Sequence, residues 1–396
     1  MKKDKVIWLF AGGPMQEPAA KKILSLGYGL IITDFNQNCN CAKYATELIE
    51  LDTFDIVGNL KIAEDLRGKY DIVACLTLAA DCHETVARVC DFLGLIGIDP
   101  KISHICRHKN LTREILTNSN IIQPKFKCVN NIKDAKAFID EIGGKGVIKA
   151  TDNSGSRGFS KINSVKEITE EIFKSAVMAG TTGSVLIEEL LIPRNDCISE
   201  LSIETLWFNG NMFWLNWVDR LFRSDKKFFK NIFTAKVNEL NWAVEIGHIN
   251  PANHPIEVKE KIHKMIFLAG CAIGIDKEIG GHILKADIML TSSGPVIIEL
   301  TPRLSGGWDS SCTTPARGGD FQGGVIQLAL GKKLDLKLWE TYFEIKNPKL
   351  YASIYADVPN DAKDCIGRKF SLGCGLEREK SLQLAIKNSK DNIYVI

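Results

Sequence analysis

Residues 282–306 read HILKADIMLTSSGPVIIELTPRLSG, in which two apolar stretches flank the turn-like segment TSSGP. Apolar stretches on both sides of a Gly-Pro turn are typical of a β-hairpin. The simplest register pairs Leu290 with Val296, and it places Asp287 directly opposite Glu299 on one face of the hairpin. Two carboxylates at such a cross-strand position repel each other, so the pair predicts a cation between them.

Oxygen ligands on rigid strands suit Mg²⁺, which takes one or two carboxylates and completes its coordination with water and nucleotide phosphates. Arg303 follows Glu299 by four residues. At that strand end its guanidinium could bind a phosphoryl group during transfer. The hairpin therefore predicts a magnesium and phosphate site. The alternative is a surface hairpin whose two acids pair with lysines.

A second segment, KATDNSGSRGFSKI (149–162), has the composition of a phosphate-binding loop. Glycines let backbone N–H groups approach anionic oxygens. The loop continues into alternating Phe-Ser-Lys-Ile and not into a helix, so it is a β-hairpin and not a Walker loop. We expect a Gly/Ser-tipped flap beside Lys149, whose ammonium would point at phosphates. A plain surface hairpin with a solvated lysine is the alternative.

The pattern along the chain predicts a mixed α/β and α+β fold. The first hundred residues alternate strands and helices, which indicates a doubly wound parallel sheet; the predicted strands are 6–11, 29–35 and 71–78. Residues 121–208 predict a compact α+β unit, and 200–330 predict a larger region with two strand pairs and a helix. Beyond Gly331, LYASIYADV (350–358) and NIYVI (392–396) predict a small β-rich terminal unit.

Composition narrows the class of protein. The 396 residues are 45% hydrophobic and 25% charged, with a net charge of +2, which does not imply a nucleic-acid partner. No segment approaches the roughly 18 apolar residues of a membrane helix, and the first apolar run is too short for a secretory signal. Twelve cysteines are scattered without a paired C-x-x-C motif. We therefore expect a cytoplasmic protein with free thiols.

The order of these motifs, up to about residue 335, resembles the ATP-grasp superfamily. Segments 12–38 and 92–116 are similar to the carbamoyl phosphate synthetase and purine-biosynthetic branch. The resemblance implies ATP bound between two ATP-grasp subdomains. It also implies the following division: a preATP-grasp α/β domain (1–110), a lid subdomain with the flap (111–190), a metal and substrate subdomain (191–330) and a small C-terminal unit (331–396).

Site residues follow from the resemblance position by position. Asp287 and Glu299 match the magnesium ligands, with Mn²⁺ as an alternative ion, and Thr301 stands where the family commonly has asparagine, a longer ligand. An insertion-like PRNDC precedes the expected ribose acid Glu200, so Asp196 is an alternative to it. The remaining nucleotide positions are Lys109, Lys149, the flap residues Ser154, Gly155, Ser156 and Gly158, and the adenine-facing Glu188 backbone and Leu191. The substrate positions are Arg303, Ser305, Gly306, Gly307, Arg317 and His248.

The resemblance implies an ADP-forming carboxylate–amine ligase. A substrate carboxylate would attack the γ-phosphate of ATP, and an amine would displace phosphate from the acyl phosphate, with Lys149 and Arg303 as the catalytic cations. The partners would be small-molecule acids and amines, without nucleic acid or membrane; dimers are frequent among similar proteins. Two alternatives are a carboxylase-type enzyme that activates bicarbonate and a non-catalytic homologue that binds nucleotide.

Overall fold

The N-terminal unit is a four-stranded parallel sheet in the order β3-β2-β1-β4. The computed structural model describes residues 3–153, 157–233, 244–334, 350–358 and 367–395. The elements of this unit are β1 (Lys5–Phe10), α1 (Glu17–Ser25), β2 (Gly29–Asp34), β3 (Glu47–Glu50), α2 (Ile56–Lys69), β4 (Asp71–Leu76) and α3 (His83–Leu93).

The central strand β1 is apolar on both faces because helices cover both. Ile7 and Leu9 pack towards α1, while Val6, Trp8 and Phe10 pack towards α2 and α3. The predicted doubly wound parallel sheet is confirmed. The predicted strands became β1, β2 and β4, and the short edge strand β3 was not predicted.

Two helices lead from this unit into an antiparallel lid sheet of order β5-β8-β6-β7. A hydrophobic cluster lies between this sheet and its two helices. The elements are α4 (Pro100–Arg107), α5 (Lys109–Asn118), β5 (Phe126–Val129), α6 (Ile132–Glu141), β6 (Gly146–Ala150), β7 (Ser160–Ile162), α7 (Glu170–Ala179) and β8 (Val185–Glu189).

The largest unit is a seven-stranded antiparallel sheet of order β13-β12-β9-β10-β11-β14-β15. Its elements are β9 (Glu200–Phe208), β10 (Asn211–Phe222), β11 (Glu245–Asn250), α8 (Ile256–Ile273), β12 (Gly281–Thr291), β13 (Gly294–Thr301), α9 (Thr314–Ala316), α10 (Phe321–Ala329), β14 (Tyr351–Tyr355), β15 (Ser371–Gly375) and α11 (Arg378–Lys390).

The mixed α/β and α+β class is confirmed, and the C-terminal segment has a definite place in it. Strands β14 and β15 do not form a sheet of their own but extend the seven-stranded sheet beside β11. Residues 392–395, which were predicted to be β-rich, contain no strand, and Ile396 lies outside the described residues. In the described part of the chain, no helix is both long and apolar enough to cross a bilayer.

The seven-stranded sheet has one apolar and one polar face in its central strands. Leu201 and Ile203 of β9 belong to a hydrophobic cluster with residues of α8. Because side chains alternate along a strand, Glu200, Ser202 and Glu204 point to the opposite face. The register pairs Ser202 with Asp287 of β12, so the predicted acid pair belongs to this polar face.

Candidate active site

The hairpin of β12 and β13 pairs Asp287 with Glu299, as the sequence predicts. The register near the turn is different: Leu290 lies opposite Pro295, and the predicted pairing with Val296 is wrong. The turn is one residue tighter than expected. A bulge then leaves Ile298 of β13 unpaired and restores the predicted pairing at the two acids.

Two lysines form ion pairs with the two carboxylates. The Nζ atom of Lys109 lies 2.6 Å from Oε1 of Glu299, and Lys285 contacts Asp287 directly. Burial opposes ionisation of Glu299, but the charges of Lys109 and Lys285 outweigh it and lower its pKa to about 2. The alternative in which lysines pair with the acids is thus present, but in the interior and not on a solvated surface.

The acid pair fits a hard divalent cation. Atom Oδ1 of Asp287 is buried without a hydrogen-bond partner among the described residues. Nε of Arg220 lies 3.6 Å from this oxygen, and among the described residues that Nε also has no hydrogen-bond partner. An unsatisfied buried carboxylate oxygen costs free energy, which an ion would offset. Asp287 and Glu299 are the residues that would hold Mg²⁺.

Lys109 connects the acid pair with the base of the flap. Its backbone N–H donates to the carbonyl of Thr151 at 2.8 Å. Its ammonium donates to the carbonyl of Asn153 at 2.5 Å while contacting Glu299. The first residue of α5 therefore joins the lid sheet to β13, at the position where the resemblance expects a phosphate contact.

The flap itself is described only in part. Ser154, Gly155 and Ser156, the predicted flap tip, lie outside the described residues. Gly158 has a left-handed backbone (φ +70°), and a Cβ atom there would lie 2.5 Å from Cβ of Ala179 in α7. Close packing against α7 therefore explains the glycine at this position.

The second predicted phosphate cation, Lys149, belongs to a buried triad. Its Nζ lies 2.7 Å from Oε2 of Glu188, while Nε of Arg113 donates to Oε1 of the same carboxylate at 2.7 Å. Burial lowers the pKa of Lys149 to about 8, although Glu188 opposes this shift. Burial raises the pKa of Glu188, but Arg113 and Lys149 outweigh it and bring the pKa down to about 2. From the sequence we expected a role only for the backbone of Glu188; the pairing of its side chain with Lys149 and Arg113 was not predicted.

Arg220 and Glu245 are further site residues that the sequence did not reveal. One terminal nitrogen of Arg220 donates to both carboxylate oxygens of Glu245 at 2.9 Å, and the other donates to Ser305 at 3.3 Å. Arg220 lies near the end of the long strand β10, and Glu245 is the first residue of β11. Burial and the charge of Asp287 raise the pKa of the neighbouring Glu200 to about 8.

The loop after β13 packs against the N-terminal unit. Arg303 forms an ion pair with Asp81, between β4 and α3. The N–H of Ser305 donates to Glu204 at 2.8 Å. A Cβ atom on Gly306 would lie 2.4 Å from the carbonyl oxygen of Ala79, so this contact requires glycine. Four of the predicted substrate residues, Arg303, Ser305, Gly306 and Gly307, therefore lie where two units meet.

Two other predicted substrate residues are buried within the protein. Nε2 of His248 hydrogen-bonds Oγ1 of Thr313 at 2.8 Å, and burial lowers the pKa of His248 to about 4. Arg317 donates to Oδ1 of Asn250 at 2.5 Å and to the carbonyl of Leu350 at 2.8 Å. Both side chains are thus bonded to protein groups and almost inaccessible to solvent. Their role as substrate contacts stays a prediction.

The two alternatives for the ribose acid differ in environment. Asp196 lies on the surface with its side chain 58% exposed and bonded to Arg194. Glu200 lies in β9 opposite Met289, beside the acid pair. The contrast favours Glu200 for any contact with a ligand. Leu191 is the second residue after the end of β8, and its adenine role stays a prediction, as does the metal role of the buried Thr301.

Comparisons with known proteins agree with this architecture. The chain is 22% identical over 294 residues to an uncharacterised protein, y4rH, of Sinorhizobium fredii, covering 73% of this chain and 55% of the relative. The chain thus spans about half the length of the curated relative it matches.

Two solved structures share the fold. An L-amino acid ligase from Bacillus licheniformis has a TM-score of 0.68 and 21% identity, covering 90% of this chain and 80% of that one. The biotin carboxylase domain dimer of the 2-oxoglutarate carboxylase from Hydrogenobacter thermophilus, in complex with MgADP, ADP and bicarbonate, has a TM-score of 0.66 and 16% identity, covering 90% of this chain and 75% of that one.

The family match covers the lid sheet and the hairpin of β12 and β13. Residues 107–306 match the family described as phosphoribosylglycinamide synthetase, ATP-grasp (A) domain. The match begins just before Lys109 and ends at Gly306, so it includes the whole set of residues around the acid pair. Because it spans half of the chain, the protein belongs to the ATP-grasp superfamily.

Proposed function

We propose that this protein is an ATP-dependent ligase that activates a substrate carboxylate as an acyl phosphate for attack by an amine, with release of ADP and phosphate. One observation carries the proposal. Lys109 bridges the flap base at Asn153 and the acid Glu299, opposite Asp287. Such a bridge assembles a phosphate-binding cation and a metal-binding carboxylate at one point, as phosphoryl transfer requires.

The nucleotide would lie between the lid sheet and the seven-stranded sheet. Lys109 and Lys149 would bind its phosphates, the flap around Gly158 would cover them, and Glu200 would bind the ribose. Asp287 and Glu299 would hold Mg²⁺ or Mn²⁺, with Thr301 as a third ligand. The ion would neutralise charge on the phosphates and polarise the transferring phosphoryl group.

The proposed reaction has two balanced steps. A carboxylate oxygen attacks the γ-phosphorus, the bond to the β–γ bridging oxygen breaks, and ADP leaves. The amine nitrogen then attacks the carbonyl carbon of the acyl phosphate, inorganic phosphate leaves with the C–O bonding pair, and the nitrogen loses a proton. Exclusion of water by the flap would protect the acyl phosphate from hydrolysis.

Arg303 is suited to bind the phosphoryl group while it stays anchored. Its Nε and one terminal nitrogen donate to Asp81, and the other terminal nitrogen donates to the carbonyl of Leu304. Three of the five N–H groups of a guanidinium thus bond to described protein atoms, and the other two can bind phosphoryl oxygens. Asp81 would fix the orientation of Arg303 before the nucleotide arrives.

The proposal is tested by measuring ADP release from Mg²⁺-ATP with a panel of carboxylic acids and amines. We expect release that requires one acid and one amine together. Glu299→Gln should lower turnover at least about 100-fold, the size of a lost electrostatic contact in a transition state. Glu260→Gln on the exposed surface of α8 is the matched control and should keep full turnover.

Three outcomes would contradict the proposal. Full turnover by Glu299→Gln would remove the acid pair from the mechanism. Release of ADP that depends on bicarbonate and not on an organic acid would instead support the carboxylase-type alternative. Nucleotide binding without turnover across the whole panel would support the non-catalytic alternative.

A further inference from the structure

A cluster outside the acid pair joins α3, α4 and the start of α5. It consists of Glu84, His104 and His108, whose ligand atoms all lie within 4.8 Å of one another. Nδ1 of His104 lies 2.7 Å from one oxygen of Glu84, and Nε2 of His108 lies 3.9 Å from the other. The two imidazole rings lie side by side with centroids 4.2 Å apart.

The ligand types and spacing suit a transition-metal ion of the zinc class. Imidazole nitrogen and carboxylate oxygen bind Zn²⁺ at about 2.0–2.2 Å, so neighbouring ligands of a tetrahedral ion lie about 3.3 Å apart. The two observed separations from Glu84 lie on either side of that value. Small side-chain rotations would therefore bring the three ligand atoms to coordination distance.

The surroundings also suit an ion that keeps one coordination position open to water. The side chain of His104 is 42% exposed, so an ion can enter and water can complete the coordination. Glu84 and His108 are mostly buried; Glu84 lies in α3, and His108 lies between α4 and α5. Burial lowers the pKa of His108, as does the adjacent His104, and its neutral ring is the form that binds metal.

We propose that Glu84, His104 and His108 form a binding site for one divalent ion of the zinc class, separate from the acid pair. His108 precedes Lys109, whose backbone N–H and ammonium hold the flap base. An ion on His108 would therefore fix the α4–α5 junction from which Lys109 extends. The site does not depend on the proposed ligase activity, so the two proposals can fail separately.

The test uses the full chain, stripped of metal by a chelator and then dialysed against Zn²⁺ with millimolar Mg²⁺ to occupy the acid pair. We expect one Zn²⁺ per chain by elemental analysis. His104→Ala and Glu84→Gln should weaken Zn²⁺ binding by at least about 100-fold, because loss of a ligand exceeds the 10–100-fold effect of an outer partner. His263→Ala, an exposed histidine on α8, is the control and should bind like wild type.

Co²⁺ provides an independent readout. Bound at this site, it should give the visible absorption of a low-coordinate ion without a thiolate band, and His104→Ala should abolish that absorption. Circular dichroism confirms that the exposed substitution leaves the fold intact. Absence of retained Zn²⁺ in wild type, or equal retention by wild type and His104→Ala, would overturn the proposal.

Discussion

The buried triad of Arg113, Lys149 and Glu188 makes a strong prediction for Glu188→Gln. The substitution keeps the size of the side chain but removes the charge that holds two cations in the interior. Lowering the pKa of Glu188 from its ordinary 4.5 to about 2 corresponds to about 3 kcal/mol of stability at neutral pH. Loss of one partner from a buried ion pair typically costs about 3–5 kcal/mol, which agrees.

Amide hydrogen exchange of β6 and β8 at neutral pH measures this loss. A decrease of about 3 kcal/mol in the free energy of local opening corresponds to exchange about 100-fold faster than in wild type. Glu189→Gln is the matched control, because this neighbouring residue of β8 is half-buried and its side chain accepts a hydrogen bond from the backbone N–H of Lys125 instead of pairing with the buried cations. The control should exchange like wild type.

The same prediction has a pH dependence with a definite sign. A carboxylate whose pKa is lowered by folding contributes stability above its unfolded pKa and loses it as pH falls through the folded pKa. The difference in melting temperature between wild type and Glu188→Gln should therefore be full at neutral pH and shrink as pH falls from about 4.5 towards 2. Unchanged exchange in β6 and β8, or a difference independent of pH, would refute the reasoning.

Three further predictions concern the cations and the loop around the acid pair. Because Lys149 has a pKa of about 8, we expect nucleotide affinity measured by calorimetry to fall as pH rises from 7 to about 9 and Lys149→Met to remove this dependence; a flat wild-type profile would contradict it. Arg303→Lys keeps the charge but loses the two-pronged geometry, so kcat should fall about 100-fold while the nucleotide Kd changes little. Equal losses in kcat and nucleotide affinity would show a binding role instead. Gly306→Ala should destabilise the protein by about 1–3 kcal/mol through its contact with Ala79, whereas Gly68→Ala, with open space at its Cβ, should not. Equal melting temperatures for the two variants would contradict this packing argument.

The acid pair could be predicted from the sequence even though the strand register near the turn could not. Two errors cancelled: the turn is tighter by one residue, and the bulge at Ile298 adds one back. Apolar alternation shows which segments pair, but it does not reveal a bulge, whose position depends on packing of the finished sheet. The prediction that Asp287 lies opposite Glu299 was right, although the register assumed for the residues nearer the turn was wrong.

Contacts between distant parts of the chain could not be predicted from the sequence. Glu188 meets Arg113 across 75 positions, and nothing in the periodicity of either element indicates the other. His248 and Arg317 have the side chains of ligand-binding residues, yet residue type does not show whether a group faces a cleft or the interior. The tertiary structure shows that both are buried and that each forms hydrogen bonds to protein groups.

The position of β14 has a consequence for the order of assembly during synthesis. The ribosome releases the chain from the N-terminus, and domains generally fold as units once their residues have emerged. Strand β11, which carries His248, can pair with β14 only when residues 351–355 are available. Strand β14 in turn can pair with β15 only when residues 371–375 are available. The parallel sheet and the lid can thus form early, whereas the largest sheet is complete only after residues 371–375 have left the exit tunnel.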